Sequence, residues 1–131
     1  MALLLAVTAT SAFAQGKWWQ QERFQRELQL GADQISRIEE VFQAAIPELR
    51  QQKKALDQLE TRLSRLIDTS ADETAVMQEA DRVEAARADL SKARTRMLLR
   101  IRRVLTAEQR VKLGALHEEW ERERKRQDHR K

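Results

Sequence analysis

The sequence predicts an all-α protein of one domain, built on a long antiparallel helical hairpin, and three observations support this fold class. The 131 residues include three Gly and one Pro, so few tight turns can form. Charged residues make up 35% of the chain and aromatic residues 5%, which favours long helices with thin cores. Apolar residues also recur at alternating steps of three and four, the spacing of a coiled-coil seam.

The first fourteen residues differ from the rest. Residues 2–9 form an apolar run, and Ala12-Phe13-Ala14 places small residues where signal peptidase cleaves. We therefore expect residues 1–14 to be an export signal removed before Gln15. The segment lacks a positively charged start, which is expected if the true signal begins further upstream; an uncleaved anchor and a buried helix start are the alternatives. The run falls short of the roughly 20 apolar residues that span a bilayer, so we expect a periplasmic mature chain without a membrane span.

The mature chain is predicted to be a helical domain over residues 15–126, followed by a charged flexible tail over residues 127–131. The domain begins with a short amphipathic segment, residues 17–28, that supplies Trp18, Trp19 and Phe24 for burial.

Three helix starts share the pattern of a capping box, in which a small polar residue or Gly opens the helix and a side chain three residues later bonds back. The pairs are Gly31/Gln34, Ser70/Glu73 and Thr106/Gln109. Each also places an acidic residue in the first turn, where the helix dipole favours negative charge.

The first long helix is predicted over residues 32–67. Its apolar seam, which Gln52 interrupts, consists of Ile35, Ile38, Phe42, Ala45, Leu49, Leu56, Leu59, Leu63 and Leu66. Pro47 lies inside this helix and removes one backbone donor, so we predict a bend in the preceding turn rather than a break.

The second long helix repeats the seam with smaller residues: Val83, Ala86, Leu90, Ala93, Met97, Ile101 and Val104. Small residues opposite large ones let the two helices pack closely as an antiparallel hairpin. A short third helix from Ala107 is expected to dissolve into the charged run that begins at Glu121. Because the short helices cannot cover the whole seam, we expect a homodimer.

Two copies of one motif flank this hairpin. Residues 105–109 read Leu-Thr-Ala-Glu-Gln, a full Leu-Thr-x-x-Gln motif, and residues 30–34 read Leu-Gly-Ala-Asp-Gln, with Gly for Thr. This layout resembles the Spy/CpxP family of periplasmic proteins, which includes heavy-metal-sensor-like members. We interpret the motif residues as structural caps: Leu30, Gly31, Gln34, Leu105, Thr106 and Gln109.

The resemblance implies a bent four-helix hairpin that dimerises antiparallel into a shallow cradle. It also implies one of three activities, which are ATP-independent holding of unfolded proteins, inhibition of an envelope-stress sensor kinase, and periplasmic metal sensing.

The second helix carries the clearest unbalanced charge, because residues 90–107 include no acid. Four basic residues there fall on one stripe: Lys92, Arg96, Arg100 and Arg103. Together with Met97 they form the predicted binding surface for client or partner proteins, since basic and apolar groups side by side suit unfolded or acidic chains. The alternative is a solvated helix face, or one that pairs with acids of a second copy such as Glu39, Glu40 and Glu48.

A divalent metal is the weaker hypothesis. The chain has two His, His117 and His129, twelve residues apart, and no Cys. His117 and Glu121 lie one helical turn apart and supply half a site, which a second copy would have to complete. We expect no other cofactor, no enzymatic activity and no nucleic-acid binding, since the sequence lacks a phosphate loop, a nucleophile beside a base and a recognition-helix unit.

The expected function is therefore that of a periplasmic, ATP-independent, chaperone-like stress-response protein that binds unfolded or partner proteins on a helical cradle. A periplasmic heavy-metal sensor or binder of the same fold is the first alternative, and an envelope coiled-coil adaptor without clients is the second.

Overall fold

A computed structural model describes residues 16–131, which contain four α-helices and no β-strand. After a 3₁₀ turn at Trp18–Gln20, the helices are α1, Glu22–Leu28; α2, Ala32–Thr69; α3, Glu73–Val104; and α4, Ala107–Asp128. The predicted all-α class is confirmed, and the predicted export signal lies outside the described residues. The described chain divides into a hairpin unit, residues 36–104, and a terminal unit, residues 16–35 and 105–131.

The hairpin unit is held together by the predicted seam. Its core consists of Leu56, Val83 and Leu90, with Leu49, Leu59, Leu63 and Ala86 packed around them. All seven are predicted seam positions, so the apolar faces of α2 and α3 meet as an antiparallel hairpin. Full burial of an apolar side chain of this size contributes about 1.5–3 kcal/mol, which makes the seam the main stabilising element of this unit.

The long helix α2 continues through Pro47 without a break, as predicted, and the bend in the preceding turn stays a prediction. One backbone donor is lost at Pro47, and the seam residues that follow it, from Leu49 onward, pack against α3.

The start of α3 corrects one prediction. The carboxylate of Asp72 accepts hydrogen bonds from the backbone N–H groups of Thr74 and Ala75 at 3.0 and 3.4 Å. Ser70 instead accepts from the backbone N–H of Asp72 at 3.1 Å. The predicted Ser70/Glu73 capping box is therefore wrong, and Asp72 caps the helix. An aspartate caps as well as a serine and also places negative charge at the positive end of the helix dipole.

One charged residue, Glu79, is buried within the described part of the chain. It lies on the seam side of α3, and its carboxylate is 3.5 Å from Arg62 Nε of α2 and 3.0 Å from Arg82 Nη1 of α3. Both arginines remain more than half exposed, so the pair of cations neutralises Glu79 from the solvent side.

The terminal unit has an aromatic core of its own. Trp18, Trp19, Phe24 and Leu28 of the N-terminal segment are buried, as are Leu105, Leu113 and Leu116. Trp18 meets Trp19 edge-on with ring centroids 5.7 Å apart, and it lies 5.9 Å from Phe24. Arg23 of α1 reaches Glu119 and Glu123 of α4 at 3.5 and 3.6 Å. The predicted amphipathic lead-in is therefore an anchor for α4.

Helix α4 is longer than predicted, since it reaches Asp128 instead of dissolving after Glu121. Arg124 is 3.2 Å from Glu121, and its guanidinium carbon lies 5.3 Å from the centroid of the Trp120 ring. These contacts, with those of Arg23, extend the helix into the region predicted to fray. Two of the five predicted tail residues are consequently helical.

Across residues 16–131, none of the helices has the length and hydropathy that a membrane span requires.

Candidate functional site

A groove lies along the hairpin unit between the first half of α2 and the second half of α3. It is lined by Val41, Ala44, Ala45, Glu48, Leu49, Ala93, Arg96, Met97 and Arg100. Ala93 and Met97 are buried, whereas Ala44 is exposed. Because alanine fills little of the space between two helices, the seam is open here.

Two arginines of the predicted stripe border this groove. Arg96 and Arg100 are exposed, and neither makes an ion pair with any residue in the described range. Glu48, which also lines the groove, accepts a hydrogen bond from Gln52 Nε2 at 3.2 Å. The groove therefore combines small apolar walls, a buried methionine and two cations that retain their capacity to bind carboxylates.

The cations nearer the turn of the hairpin behave differently. There Arg62 and Arg82 bracket Glu79, and Arg87 bridges Glu60 and Glu84 at 3.1 and 2.9 Å. The hairpin unit therefore has paired charges near its turn, whereas Arg96 and Arg100 at the groove have no acidic partner within residues 16–131.

The structure separates the predicted stripe into two surfaces. Arg96 and Arg100 border the groove, while Lys92 and Arg96 lie beside Leu99 in a second, shallower depression that Ser91 and Thr95 complete. Arg103 is exposed and lines neither depression. Met97 was predicted as part of the surface. It is 3% exposed, so it forms the buried floor of the groove.

Six lining residues were predicted neither as seam residues nor as part of the basic stripe: Val41, Ala44, Glu48, Ser91, Thr95 and Leu99. Ala44 and Glu48 lie beside the seam of α2, and Leu99 lies two residues beyond Met97, on the other side of α3. Leu99 is 48% exposed, although its neighbours Met97 and Ile101 are buried. In the sequence, Leu99 is a leucine that falls outside the three-and-four spacing of the seam.

The motif residues meet in the terminal unit. Gln34 and Gln109 form a reciprocal amide pair, with Gln34 Nε2 donating to Gln109 Oε1 at 2.8 Å and Gln109 Nε2 donating to Gln34 Oε1 at 3.1 Å. Gln109 Nε2 also donates to the Leu28 carbonyl at 3.1 Å. The two motif copies, 75 residues apart in sequence, are therefore directly joined.

Each amide oxygen of this pair also caps a helix. Gln109 Oε1 accepts from the Thr106 N–H at 2.9 Å while Thr106 Oγ1 accepts from the Gln109 N–H at 3.1 Å, a complete capping box. Gln34 Oε1 accepts from the Gly31 N–H at 3.1 Å. Gly31 has no side chain to bond back, so the first motif forms half of the box. The polar side-chain atoms of the two motifs therefore make hydrogen bonds within the chain, which is a structural role.

The metal-ligand candidates are less favourably placed. His117 packs among aromatic rings, 6.3 Å from Trp18 and 5.9 Å from Phe24 between centroids. Glu121 Oε2 accepts from Arg124 at 3.2 Å. Residues 16–131 contain no group of three or more His, Asp and Glu side chains placed to hold an ion. With no Cys in the sequence, the donors of one chain do not fit a site for a soft or borderline metal.

Comparison with known proteins places the chain in a family. The model of a family described as heavy-metal resistance matches residues 1–112. Since the match covers most of the 131 residues, this protein belongs to the heavy-metal resistance family. That family is related to the helical Spy/CpxP-type proteins that the two motifs resemble. A search of the curated proteins gives no match, and a search of the solved structures gives none either.

Proposed function

We propose that this member of the heavy-metal resistance family works in the periplasm as a dimeric, ATP-independent, chaperone-like protein of the Spy/CpxP type. In this role it binds unfolded or partner proteins that appear when metal damages the envelope. The supporting observation is the groove of the hairpin unit, where Arg96 and Arg100 lie without acidic partners in the described chain beside Ala44, Ala45 and Met97.

The chemistry of the groove suits short stretches of unfolded protein. A partner's apolar side chain gains by transfer from water to the alanine-lined walls, at about 25 cal/mol for each Å² buried. A neighbouring carboxylate would pair with Arg96 or Arg100, and charge-assisted bonds to arginine are stronger than neutral ones. Both contributions are modest for one site, which is what reversible holding without nucleotide requires.

A metal sensor or binder of the same fold is the second candidate, favoured by the family description and by one feature of α4. His117 and Glu121 lie one turn apart, and Glu121 Oε1 is buried without a hydrogen-bond partner among the described residues. A second copy of the chain would have to supply the remaining ligands. An envelope adaptor without clients is the third candidate.

One experiment separates the three. The purified protein is added to an unrelated denatured protein whose aggregation is followed by light scattering, and zinc, copper and nickel are titrated in parallel by calorimetry. Suppression of aggregation without metal is expected. Stoichiometric metal binding that changes the oligomer, without suppression, would instead favour the sensor. If the protein neither suppresses aggregation nor binds metal, the adaptor is favoured.

A further inference from the structure

The outer side of α3 carries a second surface, which shares Arg96 with the groove. At 3.6 residues per turn, positions 92, 96, 99 and 103 lie on one face of the helix. Leu99 is 48% exposed on this face, because the flanking Met97 and Ile101 are buried on the opposite side. We call Lys92, Thr95, Arg96, Leu99 and Arg103 the outer patch.

We propose that the outer patch binds the surface of an anionic lipid bilayer. Its three cations are exposed, make no ion pair within residues 16–131 and lie in a stretch without acids. Near an anionic bilayer each such cation is attracted to the headgroups, and an exposed leucine among them adds a shallow apolar anchor. Long basic side chains can keep their charges at the headgroups while Leu99 enters the interface.

The shape of the patch favours lipid over an acidic protein. The patch follows one helical face over the twelve residues 92–103, about 16 Å, and its depression is shallow, lined by Ser91, Lys92, Thr95, Arg96 and Leu99. A protein would have to present carboxylates in matching register along this ridge. Lipids diffuse laterally to each cation, so a bilayer needs no such register.

A purely structural explanation accounts for only part of the patch. Arg103 lies in the last turn of α3, where a cation interacts favourably with the helix dipole. Lys92 and Arg96 lie two or more turns earlier, beyond the range of that effect. Their positions around an exposed leucine suit a partner outside the chain.

The test places a reporter within the patch. The chain has no Cys, so Thr95→Cys can be labelled uniquely with an environment-sensitive nitrobenzoxadiazole dye while Leu99 stays in place. The control label is at Ala55→Cys, an exposed position of α2. Each labelled full-length chain is mixed with vesicles of phosphatidylglycerol and phosphatidylethanolamine, with vesicles of phosphatidylcholine, or with poly-L-glutamate. Because the dye reports its own surroundings, an anchor elsewhere in the chain does not imitate the signal.

We expect emission at position 95 to rise and shift to the blue with the anionic vesicles only, and the signal at position 55 to stay unchanged. Adding Lys92→Glu and Arg103→Glu should weaken the vesicle affinity by about tenfold or more, and about 0.5 M salt should have a similar effect. The matched reversal Lys54→Glu/Arg65→Glu, at exposed positions of α2, should not.

Three results would overturn the proposal. One is a dye at position 95 that stays in water with anionic vesicles, and another is an equal response to both kinds of vesicle. The third is a response to poly-L-glutamate without one to vesicles, which would make the outer patch a protein site. Groove binding is independent of these results, since neither Lys92 nor Arg103 lines the groove.

Discussion

The amide pair of Gln34 and Gln109 makes the strongest prediction about stability. The side chain of Gln109 takes part in four hydrogen bonds, to the Thr106 N–H, to the Leu28 carbonyl and two with Gln34. Replacing Gln109 with Ala removes all four, so that the Leu28 carbonyl and the Gln34 amide lose their bonds to Gln109. Thr106→Ala removes one side-chain bond of the same network.

The magnitudes follow from this count. A hydrogen bond in a folded protein contributes about 1 kcal/mol net, and water partly replaces the lost partners because both glutamines are half-buried. We therefore expect Gln109→Ala to lower the free energy of unfolding by about 2–3 kcal/mol and Thr106→Ala by about 1 kcal/mol. The direct coupling between Gln34 and Gln109 should be about 1–2 kcal/mol.

Urea denaturation followed by circular dichroism measures these values in a double-mutant cycle of Gln34→Ala and Gln109→Ala. Gln58→Ala, at an exposed position of α2, is the matched control and should change stability by less than about 0.5 kcal/mol. Equal losses for Gln109→Ala and Thr106→Ala, or a coupling below about 0.3 kcal/mol, would refute the view that the two motifs stabilise each other.

Three further variants test other parts of the structure. Gln29 ends α1 with a φ of 52°, a left-handed conformation that glycine adopts without strain. Gln29→Gly should therefore raise the free energy of unfolding, measured in urea, by about 0.5–1 kcal/mol. A lower free energy of unfolding would show that Gln29 is not strained. Glu79→Leu should leave stability unchanged or raise it by about 1 kcal/mol, since its arginine partners can return to water, and a loss above about 2 kcal/mol would show that the ion pairs are needed. Ala44→Leu should fill the groove and weaken the suppression of aggregation several-fold, whereas the control Ala55→Leu should have no effect; equal activity of the two would exclude the groove as the binding surface.

The hairpin was predictable because its physical cause is repeated many times along the chain. Nine positions of α2 and seven of α3 share one seam, and an error at any one of them leaves the period intact. The full capping box at Thr106 and Gln109 was predictable for a similar reason, since both partners lie within one turn. Local patterns of this kind need no knowledge of the tertiary fold.

Two features of the helix ends, the cap of α3 and the length of α4, could not be predicted from local patterns. Ser70 and Asp72 are both good helix caps, and the sequence alone did not show that Asp72 would bond the helix while Ser70 bonds Asp72. The length of α4 was missed for a different reason: Arg23, whose contacts with Glu119 and Glu123 support the helix, lies 96 and 100 residues before them in the chain.

The candidate surface was predicted in residue type but not in arrangement. The acid-free stretch of α3 identified Arg96 and Arg100, yet their place at a groove depends on Ala44 and Ala45 of the other helix. Leu99 was missed because a residue outside the seam has no periodic signal. Gln109 and Gln34 were each interpreted as a local cap, and their direct contact appears only when the chain is folded.

The most direct test of the proposed function compares Arg96→Glu/Arg100→Glu with Lys54→Glu/Arg65→Glu in the aggregation assay, because both variants change the net charge equally. With helix content unchanged in both, we expect the groove variant to lose most of its suppression and the control to retain it. Suppression that persists in the groove variant, together with a weaker dimer by analytical ultracentrifugation, would contradict the account and assign Arg96 and Arg100 a structural role.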